Sequence, residues 1–116
     1  MKHTMKLYAQ PFSLVATGNK TIELRLNDEK RQKIKVGDTI VFTHAECAEK
    51  RITSKVTALY PFPTFQALYQ ALPLDKCGYV APEIATASYQ DMYAYYTPEQ
   101  EKQFGVIGIE IMVCEK

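Results

Sequence analysis

The segment Gly18-Asn19-Lys20-Thr21-Ile22-Glu23-Leu24-Arg25 decides the fold of this chain, because it joins a glycine turn to a strand with alternating side chains. Successive strand residues point to opposite faces, so Thr21, Glu23 and Arg25 share one face and the apolar residues share the other. The apolar face predicts packing on a core. Lys20 lies at the start of the polar face, just before Thr21. Together these side chains suit a small polar or phosphate-bearing ligand. Pairing of these charges with each other or with neighbouring strands is the alternative.

Length and composition are those of an ordinary globular protein. The chain has 116 residues, of which 47% are hydrophobic and 23% are charged, and we expect one domain over residues 1–116. The formal net charge of +1 argues against a polybasic nucleic-acid binder. Between Lys20 and Lys35, however, there are six basic residues and three acidic ones. This local basic patch favours a modest anionic ligand, with a solvated basic loop as the alternative.

The cysteine and histidine content argues against a disulfide scaffold and a metal protein. The three cysteines are odd in number and form no CxxC pair, which favours reduced thiols in a cytoplasmic protein. His44 and Cys47 lie close in sequence but lack a matching half-site, so we predict no metal and no other cofactor. The sequence contains no apolar leader and no run of about 20 apolar residues, so we expect neither secretion nor a membrane partner.

Five segments have the composition of strands. The final one is the strongest, because isoleucine and valine alternate with residues that are also largely apolar, and it should therefore lie centrally with a partner on each side. Pro61 and Pro63 are expected to end the fourth strand, since proline donates no ladder hydrogen bond. The predicted strands are Met5–Ala9, Thr21–Leu26, Thr39–Thr43, Arg51–Leu59 and Gly105–Val113.

Helical signals lie between these strands. Pro11 and Gly18 predict a short helix over Pro11–Thr17. Thr97 with Gln100 has the form of a capping box, which predicts a helix over Pro98–Phe104. Apolar residues recur with helical spacing in two further segments, at Phe65, Leu68, Tyr69 and Leu72, and at Tyr89, Met92, Tyr93 and Tyr96. The sequence therefore predicts an α+β fold with a small curved or barrel-like sheet.

The chain has eight tyrosines, and those near the C-terminal helix are expected either to pack on the core or to contact a ligand, depending on their position. Aromatic side chains at helical spacing usually pack on a core, which we expect for Tyr89 and Tyr93. Tyr95 and Tyr96 border the break before the last helix, where they either pack or stack on an unpaired base.

The same residues resemble a known family. The pattern Gly18-x-Lys20-x-x-Glu23-x-Arg25, the turn Val36-Gly37-Asp38 and the ending from Tyr96 to Ile109 are similar to the ASCH domain, in order, from about Lys6 to Val113. The resemblance implies a small PUA-like β-barrel of about five or six strands with short flanking helices. It also implies a cleft beside the glycine–lysine turn.

The resemblance further implies binding of RNA or a nucleotide in that cleft. Lys20 and Arg25 would contact a phosphate or a polar base edge, and Glu23 would accept from an amine or orient Lys20. The expected partner is RNA or a modified nucleoside, and a monomer is favoured over an oligomer. The expected ligand-binding residues are Gly18, Lys20, Thr21, Glu23, Arg25 and Tyr96.

Two enzymatic alternatives follow from the same family. One branch resembles an amidohydrolase that deacetylates N4-acetylcytidine with a lysine, a threonine and a glutamate, for which the candidates here are Lys20, Glu23 and Glu83. The threonine position is Glu23 in this chain, so the nucleophile is missing, and Thr21 would be displaced by about 7 Å. Cleavage of RNA by Lys20, Glu23 and Arg25 is the other alternative. Glu23 would keep Lys20 charged, which favours binding over chemistry.

Overall fold

A computed structural model describes residues 1–115 of the chain. It contains a five-stranded sheet with flanking helices, as predicted for the α+β class. The strands are β1 (Lys2–Leu7), β2 (Ile22–Leu26), β3 (Thr39–His44), β4 (Arg51–Phe62) and β5 (Val106–Glu115). The α-helices are α1 (Ala9–Ala16), α2 (Phe65–Ala71) and α3 (Pro98–Phe104). Short 3-10 helices cover Arg31–Lys33, Leu74–Lys76, Glu83–Thr86 and Tyr89–Ala94.

The sheet is curled into a half-barrel. Its strand order is β1-β3-β4-β5-β2, with β1 and β3 parallel and the other pairs antiparallel. The strands β1 and β2 are the two edges, yet side chains connect them. Arg25 donates to the carbonyl of Lys6 at 2.9 Å, and Lys30 donates to the carbonyl of Thr4 at 3.2 Å. Curling therefore brings the edges within reach of single side chains, which cover carbonyls that an edge strand would leave unpaired.

Two hydrophobic clusters lie on opposite faces of the strands. The larger cluster contains fully buried residues such as Ile40, Phe42 and Ile109, together with Val15 of α1. The smaller cluster joins the apolar face of β2 to α2 and contains Ile22, Leu24 and Leu26 with Phe65 and Leu68. Because β2 uses its even-numbered residues for the second cluster, its odd-numbered residues point to the other side.

Several boundaries differ from the sequence prediction. The first strand covers Lys2–Leu7 rather than Met5–Ala9, because the polar His3 is buried and its ring bonds Asp38 at 2.9 Å. Helix α1 begins at Ala9 rather than Pro11, which places Pro11 in the first turn, where no helical hydrogen bond is lost.

The prediction that proline ends the fourth strand was wrong. Strand β4 continues through Pro61 to Phe62, pairing with Ile107 and Val106 of β5. Its pairing with β3 ends at Lys55, so the outer edge of β4 near Pro61 has no neighbouring strand. A proline is tolerated there because the missing N–H is not needed for a ladder.

The C-terminal part matches the prediction closely. Thr97 and Gln100 form the capping box of α3, and Gly105 follows with φ of 71°. Strand β5 lies between β4 and β2, hence inside the sheet. The segment Tyr89–Ala94 is a 3-10 helix that starts with its own capping box at Ser88. Among residues 1–115, no helix combines the length and apolar character that a membrane crossing requires.

Candidate functional site

Three charged side chains form one cluster on β2 and the segment before it, in which Glu23 is buried and Lys20 and Arg25 are partly buried. Lys20 Nζ lies 2.7 Å from Glu23 Oε1, and both Nε and Nη2 of Arg25 lie 2.7 Å from Glu23 Oε2. Glu23 is only 3% exposed. Its carboxylate thus bridges two cations, each using a different oxygen, and charge-assisted bonds of this length are strong and fix geometry.

Two glycines allow Lys20 to reach this position. Gly18, with φ of 81°, follows α1 and turns the chain so that the N–H groups of Asn19 and Lys20 both donate to the carbonyl of Leu14. Gly78, with φ of 110°, lies beside the lysine stem, where an added Cβ would be 3.2 Å from Lys20 Cδ. The stem therefore passes over a residue that has no side chain.

The charges of the cluster stabilise one another. Burial by itself would raise the pKa of Glu23, but the positive charges of Lys20 and Arg25 and their hydrogen bonds lower it below 4.5. Burial would likewise lower the pKa of Arg25, and the Glu23 charge raises it above its ordinary value. Glu23 is therefore a carboxylate at neutral pH and cannot act as a general acid there.

The cluster forms the floor of an open cleft of about 660 Å³, within the range of small-molecule sites. The rim contains two acidic side chains, Glu83 and Asp91. Tyr8 and Tyr95 also line the cleft and are 66% and 65% exposed, so their rings are accessible from solvent. The remaining aromatic lining consists of Tyr69, Tyr79 and Tyr96.

A chain of hydrogen bonds holds one wall of the cleft. The hydroxyls of Tyr69 and Tyr79 are 2.8 Å apart, and Tyr79 donates to Asp91 Oδ2 at 2.7 Å. Because Tyr79 donates to Asp91, Tyr69 must donate to Tyr79, which leaves the Tyr69 oxygen as an acceptor. Burial raises the pKa of Tyr69 to about 12 and also raises the pKa of Tyr79, so both hydroxyls stay protonated at neutral pH. The wall therefore presents acceptors, whereas Lys20 and Arg25 present donors.

Buried Cys77 completes the lining beside Lys20. Burial raises the pKa of its thiol to about 12, and the charge of Lys20 offsets only part of this effect. The thiol is therefore protonated and unreactive as a nucleophile at neutral pH.

The structure brings together five of the residues singled out from the sequence and separates two. Lys20, Glu23, Arg25, Glu83 and Tyr96 all line the cleft. Gly18 acts through the backbone and does not line it. Thr21 lines a different depression, together with Thr57 and Tyr60, and its N–H donates to the carbonyl of Lys76. Thr21 was expected to share the ligand face with Glu23 and Arg25, but it does not line the cleft with them, although its carbonyl accepts a hydrogen bond from Ile111 of β5 just before β2 begins.

Sequence reasoning missed the second wall of the cleft. Tyr69 and Asp91 lie in segments where only helical spacing was recognised, and Cys77, Gly78 and Tyr79 lie in a segment without a recognisable motif. Tyr69 was assigned only to a core-facing helix, and the glycine at 78 was the one local signal of close backbone approach. Over residues 1–115, no group of three or more metal-ligating side chains occurs.

Comparison with known proteins gives the family. The model of the ASCH domain matches residues 5–114. The structure is similar to the crystal structure of hypothetical protein PH0355, with a TM-score of 0.81, 30% sequence identity and coverage of 98% of this chain and 100% of that one. It is also similar to protein PF0455 from Pyrococcus furiosus, with a TM-score of 0.73, 30% identity and full coverage of both chains.

More distant structures share the fold. The ASCH domain from Lactobacillus crispatus JV V101 has a TM-score of 0.63 and 15% identity, over 98% of this chain and 81% of that one. An S128A mutant of ZmASCH from Zymomonas mobilis has a TM-score of 0.63 and 11% identity, over 94% and 66% of the two chains. No curated protein matches the chain significantly. From the family match over residues 5–114, the chain belongs to the ASCH domain family, with its PUA-like fold.

Proposed function

We propose that this protein binds single-stranded RNA and holds one unpaired nucleotide in the cleft above Lys20, Glu23 and Arg25. The observation that carries this proposal is the donor pair Lys20 and Arg25, aligned by a shared buried carboxylate at the floor of a tyrosine-lined cleft. Only an unpaired base can enter such a cleft, because bases in a duplex are stacked and paired.

The charge balance favours a base over a phosphate at the floor. Lys20 and Arg25 are opposed by Glu23, and Glu83 and Asp91 add two negative charges at the rim. A phosphate would have to pass these carboxylates to reach a floor whose positive charge is already half neutralised. An uncharged base with a carbonyl oxygen and N–H groups matches the lining better, since Lys20 can donate while Tyr69 and the carboxylates accept.

The exposed tyrosines at the rim supply the surfaces on which a base would stack. Tyr8 and Tyr95 lie at the rim with most of their surface in solvent, and an exposed tyrosine ring is a stacking platform for a base. Tyr96 is different, because it stacks on Phe65 at 5.9 Å and thus also belongs to the second core cluster. Tyr95 is therefore the better residue for a test.

The test is the affinity for a fluorescently labelled, unstructured RNA 12-mer, measured by anisotropy. Tyr95→Ala removes a stacking surface, and we expect a loss of about 1–3 kcal/mol in binding free energy, as for other base–aromatic contacts. Met112→Ala is the matched control, because Met112 is 58% exposed and lies outside the cleft. Equal affinities of the Tyr95 variant and the wild-type protein would rule out stacking at this rim.

Hydrolysis of an N4-acetylcytidine-type nucleoside is the second candidate function. The observation in its favour is that Glu83 lines the same cleft as Lys20 and Glu23. Against it, both oxygens of Glu23 already accept hydrogen bonds from cations, which weakens the carboxylate as a nucleophile or base. Incubation with N4-acetylcytidine distinguishes the two functions: formation of cytidine and acetate that Lys20→Ala abolishes would favour the enzyme, and absence of product favours binding.

A further inference from the structure

The outward face of strands β1, β3 and β4 carries cations at its corners and no acid. The register aligns the outward residues in three rows across the strands, which are Lys2–Thr39–Lys55, Thr4–Val41–Thr53 and Lys6–Thr43–Arg51. These nine residues are called the cationic face. Its lysines and its arginine are exposed, and its only apolar residue, Val41, is buried.

The geometry of the cationic face follows from sheet spacing. Neighbouring strands are about 4.8 Å apart and residues rise about 3.3 Å along a strand, so the four cations occupy the corners of a rectangle of about 10 by 13 Å. Threonine hydroxyls lie between them as hydrogen-bond donors. A shallow depression of about 540 Å³ covers part of this face. Outside the face it is lined by the apolar residues Phe12, Ala16 and Ile52 and by Glu49 and Lys50, whose charges cancel.

This concentration of positive charge is notable because the protein is nearly neutral. The formal net charge is +1, and four of the fourteen basic residues lie on this one face. Lys30 adds a fifth cation at its β1 edge, where its ammonium bonds the carbonyl of Thr4. A cluster of positive charges on one surface raises the local concentration of an anionic partner near that surface.

The cationic face is continuous with the cleft through β1. The side chain of Lys6 belongs to the face, whereas the carbonyl of Lys6 accepts the hydrogen bond of Arg25 at the cleft floor. Tyr8, two residues further along the chain, lines the cleft rim. A ligand that spans both surfaces therefore crosses only the end of one strand.

We propose that the cationic face binds the sugar–phosphate backbone of the single-stranded RNA whose base occupies the cleft. This inference rests on the proposed function and adds a second contact surface to it. Lysine and arginine would pair with phosphate oxygens, and the threonine hydroxyls would donate to the same oxygens. The charges differ between the two surfaces. The cleft, with acids at its rim, receives an uncharged base, and the cationic face, whose nine residues include no acid, receives the phosphates; its acidic neighbours are Glu49 in the adjoining turn and Glu115, which pairs with Thr53.

A lipid surface is the less suitable anionic partner. Membrane-surface binding by a folded domain uses exposed apolar side chains that enter the interface next to the cations. On the cationic face the single apolar side chain, Val41, is only 8% exposed. Exposed methionines adjoin two of its corners, Met1 next to Lys2 and Met112 opposite Lys55, but the face itself presents hydroxyls and charged ends, which fit a phosphodiester chain.

The experiment compares the salt dependence of RNA binding in two charge-matched variants. The face variant combines Lys6→Gln with Arg51→Gln, and the control combines Lys76→Gln with Lys102→Gln, two exposed lysines outside the face. Both variants change the formal net charge from +1 to −1. Each lost phosphate contact should reduce the slope of log K against log salt by about 0.7. Between 50 and 200 mM salt, the wild-type protein should therefore lose about sevenfold more affinity for the RNA 12-mer than the face variant.

The outcomes separate this inference from the proposed function. A reduced slope in the face variant, with the control and Tyr95→Ala retaining the wild-type slope, supports the inference. Equal slopes in the face and control variants overturn it, even if Tyr95→Ala still weakens binding and so upholds the cleft. A reduced slope with no effect of Tyr95→Ala supports phosphate binding by the cationic face and rules out base stacking at the cleft rim. Absence of RNA binding, or binding to vesicles containing anionic lipid in its place, overturns the inference.

Discussion

The Nη2 atom of Arg25 lies 2.9 Å from the carbonyl oxygen of Lys6 and donates a hydrogen bond to it. This contact joins the two edge strands of the sheet, β2 and β1. The same guanidinium bonds Glu23 through Nε. One side chain therefore helps to close the half-barrel and to build the floor of the cleft, so the geometry of the candidate site depends on the curvature of the sheet.

Replacing Arg25 with lysine should weaken both the contact that closes the half-barrel and the contact that builds the cleft floor. An ammonium group cannot make the two-nitrogen contact to Glu23 and also reach Lys6, because it lacks the planar fork of arginine. We expect a loss of about 2 kcal/mol in the free energy of unfolding, within the range for hydrogen bonds to charged groups. Hydrogen exchange should become faster in β1. Lys30→Gln is the control, since it removes one exposed side-chain bond to β1 and should change exchange much less.

Replacing Glu23 with glutamine should be strongly destabilising. The substitution keeps the shape of the side chain but leaves Lys20 and Arg25 without a compensating charge in a buried site. Breaking a buried ion pair by removing one partner costs about 3–5 kcal/mol. Urea denaturation measures the change. Glu29→Gln, at an exposed position, should change stability by less than about 0.5 kcal/mol, and a similar small effect at Glu23 would contradict the bridging role.

Replacing Gly78 with alanine should impair binding through Lys20. The new Cβ would lie 3.2 Å from Lys20 Cδ, closer than an ordinary contact, so the lysine stem would have to shift by a few tenths of an ångström from its place beside Glu23. Gly37→Ala is a matched control, because Gly37 also has a positive φ, of 95°, but nothing lies within 4 Å of the added atom. Both substitutions should lose about 1–3 kcal/mol of stability through backbone strain. Only Gly78→Ala should weaken RNA binding, and equal binding by the two variants would argue against a role for the Lys20 position.

Asp38 should make the stability of the protein depend on acidic pH. Hydrogen bonds from His3 and from the backbone of Lys35, together with the N-terminal amine, hold the pKa of Asp38 at about 2, below its ordinary 3.8. The folded state thus binds its proton more weakly than the unfolded state. The stabilising contribution is complete above pH 3.8 and is lost as the pH falls through about 2.

The measurement is the difference in unfolding midpoint between the wild-type protein and Asp38→Asn at several pH values. The wild-type advantage should be constant from pH 5.5 to 4.5 and should shrink from pH 4 to 2. Other carboxylates, including Glu23, titrate equally in both proteins and cancel in the difference. A constant advantage down to pH 2 would show that Asp38 has an ordinary pKa.

The limits of sequence prediction can be seen in individual residues. Thr97 and Gln100 specified the start of α3, because a capping box is a local interaction within four residues. The first strand, in contrast, was predicted to begin too late, because a histidine at position 3 does not indicate a buried residue. Its partner Asp38 lies 35 residues away in the chain. Pro61 was misread for a similar reason, because whether a proline is tolerated in a strand depends on which edge has a neighbour.

The sequence by itself determined the alternation that places Glu23 and Arg25 on one side of β2, the central position of β5 and membership of the ASCH family. These features are local or periodic, and a strand has period two wherever it lies. Only the tertiary structure decided that Thr21 lies outside the cleft, that Gly78 and Tyr79 form its second wall and that β1 closes against Arg25. Those relationships join segments far apart in the chain, and they depend on how the sheet curls and how side chains pack across it, which no local pattern encodes.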